Sequence, residues 1–318
     1  MDLSIICVNW NSLDYLRKCI ASIYAETQGI EFEIIVVDNA SPEGGVESLL
    51  ELFPAVKIVK SDQNLGFARA NNFGCKYARG ESVLFLNPDT ELRGPAINIL
   101  LERMCSLSDA GIVGGKLLNT DLTVQTAAIQ NFPTILNQLA NVEYLRLRWP
   151  ECSLWSIGPL FVRNGEPVKV QVIPGACMLL RREVFEKVGM FSDEFFMYGE
   201  DLDLNWKVKK LGFSNYYIED AEIIHHGGKS SSKQTVSNWS TIMKHRAMQR
   251  YYHKNRSHFY AWMYRSAMGA SAAGRLVLLA LASPFVDKEL FRAVSSKWAT
   301  VLKWAMGRGD LTLAGSER

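Results

Sequence analysis

The chain has 318 residues, 48% of them hydrophobic and 21% charged, which suits one large α/β domain with an appendage or two domains that share an interface. Its formal net charge of +2 hides an asymmetry, because residues 1–228 carry a net charge of −9 and residues 229–318 a net charge of +11. The six cysteines stand singly, without C-x-x-C spacing, which argues against a disulfide framework or a zinc site and favours a reducing, cytosolic compartment.

The N-terminal part of the chain alternates short apolar runs with helical periods. Asp2 stands where a secretion signal needs positive charge, so the apolar run Leu3–Val8 is predicted to be the first strand. The next predicted elements are a helix from Ser12, a strand at Phe32–Val37, a helix near Val46–Phe53, a strand at Val56–Val59, a helix from about Gly66 to Ala78 and a strand at Ser82–Leu86. Strands that are apolar on both faces and separated by helices predict a mostly parallel sheet flanked by helices.

Polar residues stand at the carboxyl ends of these strands. Ligands bind beyond those ends in such sheets, so Asn9, Asp38 and Asn87–Asp89 are expected to meet at one edge. The Asp38 carboxylate could accept the imide N–H of uracil or thymine, or could only cap the following turn. Asp89 could hold Mg²⁺ or Mn²⁺ over a diphosphate, or could only cap the next helix. The segment 64–72 opens a helix with a glycine and three amides, which suits a ribose or a base.

The chain is less regular between residues 119 and 169. Four prolines and the lack of a sustained period predict irregular segments or a mobile flap on the acceptor side. Regular patterns return with the apolar run Val170–Ile173, a strand at Ala176–Leu180, a helix at Arg182–Val188 and a helix at Glu200–Leu211.

An acidic cluster opens the last of these helices. Glu200, Asp201 and Asp203 lie within its first turn, directly after the aromatic segment 195–198. The helix dipole favours such acids, so some of them could be structural. A partly desolvated carboxylate, however, has a raised pKa and is a better general base. Farther on, His225 follows an apolar strand and could ligate a cation or contact a diphosphate, although a lone histidine is more often structural.

Together these segments resemble the family 2 glycosyltransferases of the GT-A fold, and especially their bacterial rhamnosyltransferase-like branch. Seven segments in the family's order carry the resemblance: Ile5–Asn11, Val36–Ser41, Asn64–Ala68, Leu86–Asp89, Pro174–Arg182, Phe196–Leu204 and His225–Gly228. The resemblance implies a Rossmann-like catalytic domain over residues 1–230 and leaves residues 231–318 as a basic helical appendage.

The resemblance also implies a role for each part of the site. Asp201 would be the catalytic base with Glu200 beside it, and Asp89 and His225 would hold Mg²⁺ or Mn²⁺. Asn87 occupies a position of the family's D-x-D element that is often acidic, so a weakly held ion is expected. The residues that would bind the nucleotide-sugar are Val8, Asn9, Asn11, Asp38, Asn64, Gly66, Phe67, Asn87 and Gly175.

By this resemblance the protein would be an inverting glycosyltransferase of cell-surface polysaccharide synthesis. It would move a sugar, with rhamnose the expected one, from a dTDP- or UDP-linked donor to a glycan or polyprenyl-linked acceptor. Two other functions stay open. A sugar-phosphate nucleotidylyltransferase would need a glycine-rich basic loop after the first strand, where this chain has Asn9–Ser12. A catalytically silent nucleotide-sugar binder acting as a membrane assembly factor would tolerate loss of the acidic cluster, which is present here.

The tail combines cations with aromatic rings. The window Lys229–Val286 has nine Lys or Arg and no Asp or Glu. Its aromatic residues include Trp239, Tyr251, Tyr252, Phe259, Tyr260, Trp262 and Tyr264. This combination favours an anionic lipid headgroup layer, so we expect a peripheral protein at the inner face of the cytoplasmic membrane.

Other interpretations of the tail are a spanning helix, a helical subdomain with a solvated basic face, and a nucleic-acid site. The window 267–286 is long enough to span, but Arg275 near its middle costs roughly 2.5–3.5 kcal/mol on insertion scales. The acidic catalytic part and the lack of a known motif argue against nucleic acid. The subdomain stays an alternative.

Overall fold

The computed structural model describes residues 1–140, 143–162, 164–227 and 238–308. It divides into two compact units: unit 1 is Met1–Phe132, Val142–Phe196 and Glu200–Lys233, and unit 2 is Pro133–Asn141, Met197–Gly199 and Gln234–Arg318. The boundary predicted between residues 230 and 231, and Gly228 of the predicted motif, lie outside the described residues.

Unit 1 is built on a mixed sheet. Its strands are β1 (Leu3–Asn9), β2 (Phe32–Asp38), β3 (Lys57–Lys60), β4 (Ser82–Leu86), β5 (Thr90–Arg93), β6 (Ala110–Leu118), β7 (Val168–Val170), β8 (Cys177–Arg181) and β9 (Ser214–His225). Within the described residues the strand order is β3-β2-β1-β4-β8-β6-β9-β5, and β7 pairs with β9.

The N-terminal half of the sheet is parallel, as the alternation of apolar runs and helices predicts. β1 lies between β2 and β4 and is parallel to both, and β2 is parallel to β3. Beyond β4 the sheet is mixed, because β8 runs antiparallel to β4 and β6, while β9 is parallel to β6 and antiparallel to β5 and β7. Strands β1, β2 and β4 are buried along nearly their whole length, which accounts for their apolar sequences.

Helices flank this sheet. They are α1 (Leu13–Glu26), α2 (Leu49–Leu52), α3 (Gly66–Cys75), α4 (Ala96–Ser106), α6 (Glu143–Arg148), α7 (Arg182–Lys187) and α8 (Glu200–Lys210). A further short helix, α5 (Ile135–Leu139), belongs to unit 2. The helix predicted near Val46–Phe53 is instead a 3₁₀ turn at Val46–Ser48 followed by the single turn of α2. Phe53 leaves the helical conformation because it precedes Pro54.

The segment 119–169 contains short elements rather than long ones. It holds 3₁₀ turns at Thr126–Ala128 and Gly158–Phe161 in addition to α5 and α6. The strand in this part of the chain is β7 at Val168–Val170, earlier than the predicted run Val170–Ile173. Its position is set by pairing with β9, which a local pattern does not reveal.

In its described part, unit 2 contains the long helices α9 (Asn238–Asn255), α10 (His258–Leu281) and α11 (Lys288–Ala305). The side chains of Tyr251, Tyr252 and Tyr264 are fully buried, with ring centroids 5.8 Å apart for the first pair and 4.9 Å for Tyr252 and Tyr264. The expectation that these three rings face lipid is therefore wrong, because they form the core of the helical unit. Phe259 and Trp262 remain exposed.

Arg275 is accommodated within unit 2. Its guanidinium lies 4.5 Å from the ring centroid of Trp298, and its Nη2 donates to the Leu139 carbonyl oxygen at 3.4 Å. Among the helices that the structure describes, none combines the length and the hydropathy that a membrane crossing requires.

Candidate active site

The carboxyl ends of β1 and β2 carry a paired amide and carboxylate. Asn9 lies opposite Asp38 in the strand register, and its Nδ2 donates to Asp38 Oδ1 at 3.1 Å and to Ser41 Oγ at 3.0 Å. Both Asn9 and Asp38 are buried. The amide oxygen of the same side chain, Asn9 Oδ1, accepts from the Ser12 backbone N–H at 3.3 Å. The orientation of the Asp38 carboxylate is therefore fixed by neighbours on the adjacent strand.

The loops that follow these two strands are joined through Ser41. The Asn11 backbone N–H donates to Ser41 Oγ at 3.2 Å, and Asn11 Oδ1 accepts from the Glu43 N–H at 3.1 Å. Asn11 has a left-handed φ of 53°, a conformation that asparagine tolerates better than most residues. Val8 is half-buried one residue before the end of β1.

Two amides connect the end of β2 to the start of α3. Asn39 Nδ2 donates to Asn64 Oδ1 at 2.9 Å, and the same Asn64 oxygen accepts from the Gly66 backbone N–H at 2.9 Å. Asn39 Oδ1 also accepts from the Leu65 N–H at 2.8 Å. Asn64 therefore orders the turn before α3.

Gly66 is required where α3 meets the segment before the acidic helix. Its φ is 74°, and a Cβ at this position would lie 2.2 Å from the carbonyl oxygen of Phe196. That carbonyl also accepts from the Phe67 backbone N–H at 2.7 Å. A side chain at position 66 would thus separate α3 from Phe196.

Gly175 lies between the ring of Phe67 and the carboxylate of Asp201. A Cβ on Gly175 would contact the Phe67 ring at 3.3 Å, and the Gly175 N–H donates to Asp201 Oδ2 at 3.3 Å. The other carboxylate oxygen accepts from the Leu202 N–H at 2.8 Å. Burial raises the pKa of the Asp201 carboxyl, and these two backbone N–H groups oppose the increase.

The other two acids of the cluster are more deeply buried than Asp201. Asp203 is fully buried, accepts from Ser192 Oγ at 2.6 Å and lies 3.8 Å from Lys207 Nζ. Glu200 is buried at the first position of α8. Asp201 is the partly exposed member of the three, so it is the carboxylate that a substrate can approach.

A second polar group forms at the turn between β4 and β5, where β5 pairs with the end of β9. Asp89 is 2% exposed, and its Oδ1 lies 3.4 Å from His225 Nε2. Asn87 Nδ2 lies 3.3 Å from the same nitrogen. No donor among the described residues makes a hydrogen bond to Asp89 Oδ1. A buried carboxylate oxygen in this situation suits a cation, and oxygen and imidazole nitrogen are ordinary ligands for Mn²⁺.

This group offers two protein ligands of the acidic or imidazole type. Within the described residues there is no cluster of three or more His, Cys, Asp or Glu side chains that could enclose an ion. The neighbouring His226 is occupied elsewhere, because its Nε2 lies 2.7 Å from Glu91 Oε1 and its Nδ1 lies 3.1 Å from Thr120 Oγ1. An ion held by this pair alone would therefore keep several waters.

Backbone contacts link the acidic helix α8 to Asp89 and His225, which we call the metal-type pair. The Asn87 N–H donates to the Ala176 carbonyl oxygen at 3.0 Å, and the preceding residue, Gly175, contacts Asp201. The sheet edge predicted from the strand ends thus brings together Asn9 with Asp38, and Asn87 with Asp89 and His225.

Sequence reasoning missed Gln125, which contacts both the ring and the main chain of His225. It lies in the segment without a sustained period, 100 residues from His225, so no local pattern marks it. Ser41 and Asn39 belong to a predicted motif, but their bridging contacts follow from loop geometry that the motif does not specify.

Curated proteins that are similar to this chain over most of its length include the following two. It is 30% identical over 228 residues to the O-antigen biosynthesis protein RfbC of Myxococcus xanthus, covering 70% of this chain and 17% of that protein. It is 27% identical over 248 residues to the N-acetylglucosaminyl-diphospho-decaprenol L-rhamnosyltransferase of Mycobacterium tuberculosis, covering 74% of this chain and 79% of that protein. The chain therefore spans a small part of the first relative and most of the second.

Among solved structures, the fold is similar to that of the mannosyltransferase PcManGT from Pyrobaculum calidifontis, determined with GDP-Man and Mn²⁺. The TM-score is 0.56 at 16% identity, over 96% of this chain and 86% of that chain. This likeness confirms the predicted GT-A-type architecture of a sheet flanked by helices. Residues 4–189 match the sequence profile of glycosyl transferase family 2, more than half of the chain. As the sequence motifs indicate, the chain belongs to glycosyl transferase family 2.

Proposed function

We propose that the protein is an inverting, metal-assisted glycosyltransferase that uses a dTDP- or UDP-linked sugar, with rhamnose as the transferred group. The observation that carries the proposal is the contact of Asp201 with Gly175, one residue from the backbone that holds Asn87 beside Asp89 and His225. This arrangement brings a carboxylate of raised pKa close to a cation-type site. Rhamnose as the sugar is supported by the similarity to the mycobacterial rhamnosyltransferase.

Each group has a part in the proposed reaction. Asp38 accepts the imide N–H of the base, and the loop 64–67 lies beside it. Asp89 and His225 would hold Mg²⁺ or Mn²⁺, which supplies positive charge to the departing diphosphate. The acceptor hydroxyl oxygen attacks the anomeric carbon as its proton passes to the Asp201 carboxylate, and the bond from that carbon to the diphosphate oxygen breaks. A single displacement of this kind inverts the anomeric configuration.

The proposed acceptor is a glycan or polyprenyl-linked saccharide of cell-surface polysaccharide synthesis. The relatives named above support this class, because one bears an O-antigen name and the other a decaprenol-linked acceptor. We assign the protein to the cytoplasmic face of the membrane, where unit 2 contacts lipid and unit 1 acts on the acceptor.

Unit 2 has the surface chemistry that such contact needs. Its helices α9–α11 carry many more Lys and Arg than Asp and Glu. An apolar tip, defined as Val277, Leu278, Leu281, Phe285 and Leu290, is exposed where α10 turns into α11. Phe285 is 91% exposed and Leu281 72%. Cations attract an anionic surface, and apolar side chains on a turn insert into the headgroup boundary.

A product assay distinguishes the candidate functions. Purified protein is incubated with a panel of nucleotide-sugars, with Mg²⁺, with Mn²⁺ or with chelator, and the released nucleotide is identified. Release of nucleoside diphosphate supports transfer, pyrophosphate release supports a nucleotidylyltransferase, and binding without release supports a silent binder. Asp89→Ala should abolish most of the gain in nucleoside-diphosphate affinity that the cation gives. Equal affinity with cation and with chelator in the wild type would contradict the metal-assisted mechanism.

A further inference from the structure

Gln125 contacts His225 at two points. Its Nε2 donates to the main-chain carbonyl oxygen of His225 at 2.6 Å, and its Oε1 lies 3.0 Å from His225 Nδ1. Its own backbone N–H donates to the Leu117 carbonyl oxygen at 2.9 Å, and Leu117 pairs with Ile223 in the β6–β9 register. The amide is therefore anchored to the strand that runs beside the one ending in His225.

The carbonyl contact decides which way the amide faces. A carbonyl oxygen can only accept, so the atom of Gln125 that meets it must be the NH₂ group. The other atom is then the amide oxygen, which can also only accept. His225 Nδ1 must donate to it, and a neutral imidazole that is protonated on Nδ1 has its lone pair on Nε2.

In that tautomer the Nε2 lone pair faces Asp89. Nε2 lies 3.4 Å from the buried Asp89 Oδ1, and both atoms are acceptors in this protonation state. Two acceptors at this separation are a favourable environment for a cation and an unfavourable one without it. Asn87 Nδ2, at 3.3 Å from Nε2, is the donor available when no cation is bound.

We infer that Gln125 is a positioning residue that fixes His225 in its Nδ1–H tautomer and so presents Nε2 as a cation ligand beside Asp89. The inference rests on the proposed function only for the identity of the cation. An outer partner that orients a ligating histidine typically contributes 10–100-fold to metal affinity. The inferred contribution of Gln125 is of that size.

The tautomer can be measured without metal or substrate. Protein labelled with ¹⁵N-histidine is recorded at pH 8 in chelator by long-range ¹H–¹⁵N correlation, and His225→Gln assigns the signal. We expect the pattern of an Nδ1–H imidazole for His225 in the wild type. Gln125→Met, which keeps length but loses both contacts, should show a mixture of tautomers. Gln125→Glu keeps an acceptor for Nδ1–H and should restore the wild-type pattern. An Nε2–H pattern in the wild type overturns the inference.

Cation affinity gives the second readout. Mn²⁺ titration with nucleoside diphosphate, followed by electron paramagnetic resonance, should show about 10–100-fold weaker binding for Gln125→Met. Gln28→Met, an exposed glutamine before β2, serves as the matched control and should bind as the wild type does. Unchanged Mn²⁺ affinity in Gln125→Met would contradict the positioning role. If the wild type binds no Mn²⁺ yet shows the Nδ1–H pattern, the metal-assisted function fails while the tautomer assignment stands.

Discussion

At the scale of single residues, two aspartates of the acidic cluster have different surroundings. Asp203 is fully buried, and its carboxylate accepts from Ser192 Oγ and lies near Lys207 Nζ. Asp201 is partly exposed, and its two carboxylate oxygens accept from the backbone N–H groups of Gly175 and Leu202. A base needs an oriented lone pair that substrate can reach, and Asp201 meets this requirement.

Replacing Asp201 with Asn should separate binding from chemistry. The amide keeps the shape of the side chain but does not take a proton, so turnover should fall about 10²–10⁴-fold with little change in donor Kd. Because burial raises the pKa of Asp201, the acid limb of kcat/KM should lie above the ordinary range of an aspartate, and activity should fall as the pH drops through that raised value. Steady-state rates across pH and donor calorimetry measure both effects. Near-normal turnover in Asp201→Asn would move the base to another carboxylate.

The position of several residues at the edge of the sheet could be predicted because each lies at or just after the end of an apolar strand. Asn9, Asp38 and Asp89 follow runs whose periodicity is plain, and parallel pairing brings such ends together. Gln125 could not be found in this way. Its partner lies 100 residues away, and the contact depends on the pairing of β6 with β9, which is a tertiary property.

At the scale of elements, the start of α3 depends on close contact with the Phe196 carbonyl. Gly66→Ala should therefore destabilise this junction. The left-handed φ alone costs an alanine roughly 1–2 kcal/mol, and the Cβ would also displace the Phe196 carbonyl. The temperature of thermal unfolding and the affinity for nucleoside diphosphate should both decrease. Gly44→Ala, at a positive φ with open space around it, is the control for conformational strain without a clash. Equal losses in both variants would show that the carbonyl contact contributes nothing.

A buried histidine makes the helical unit sensitive to acid. Burial, aided by the positive charge of Lys297, lowers the pKa of His245 to about 4. The unfolded chain takes up this proton near pH 6.5, so the free energy of unfolding should fall by about 3 kcal/mol as the pH drops from 6.5 to 4. His245→Gln should remove this dependence, whereas His253→Gln, at an exposed position, should keep it. Hydrogen exchange of the α9–α11 amides at pH 7 and 4.5 measures the difference, and identical acid sensitivity in His245→Gln would contradict it.

Element types were predictable where one face of an element is buried and its pattern is local. The limits of β1, β2 and β4 follow from their apolar runs to within a residue. The antiparallel position of β8 between β4 and β6 does not, because strand direction is set by tertiary pairing. β6 was not predicted at all, since Gly111, Gly114 and Gly115 weaken its strand signal. In the structure these glycines let neighbouring side chains and backbone approach closely.

At the scale of the whole molecule, one chain combines an acidic catalytic part with a basic tail. The tail is a helical unit with its own aromatic core, and its exposed groups include cations and the apolar tip. The alternative of a helical subdomain is therefore compatible with membrane contact, because the same helices can bury an aromatic core and present a surface that binds lipid.

Vesicle flotation tests this combination. The full chain should float with vesicles that contain anionic lipid, and high salt should weaken binding because each Lys or Arg near the surface contributes about 1 kcal/mol. Replacing Leu281 and Phe285 with Asp should reduce binding further, since it removes apolar insertion and adds negative charge. Leu52→Asp, an exposed leucine of unit 1, is the control. Absence of wild-type binding would leave the tail as a structural subdomain.

The pairing of β6 with β9 also has a consequence for how the chain reaches its native state. These strands are parallel, and the contact they support between Gln125 and His225 closes a loop of 100 residues. Loop closure of this length costs entropy before any contact offsets it, so parallel long-range pairing is slow. The parallel β1–β4 half can form from the first part of the chain as synthesis proceeds. During synthesis, the corner that contains His225 cannot form until β9 has been made. In refolding of the whole chain, the backbone amides of this corner should be the last in the site to gain protection, as measured by pulsed hydrogen exchange.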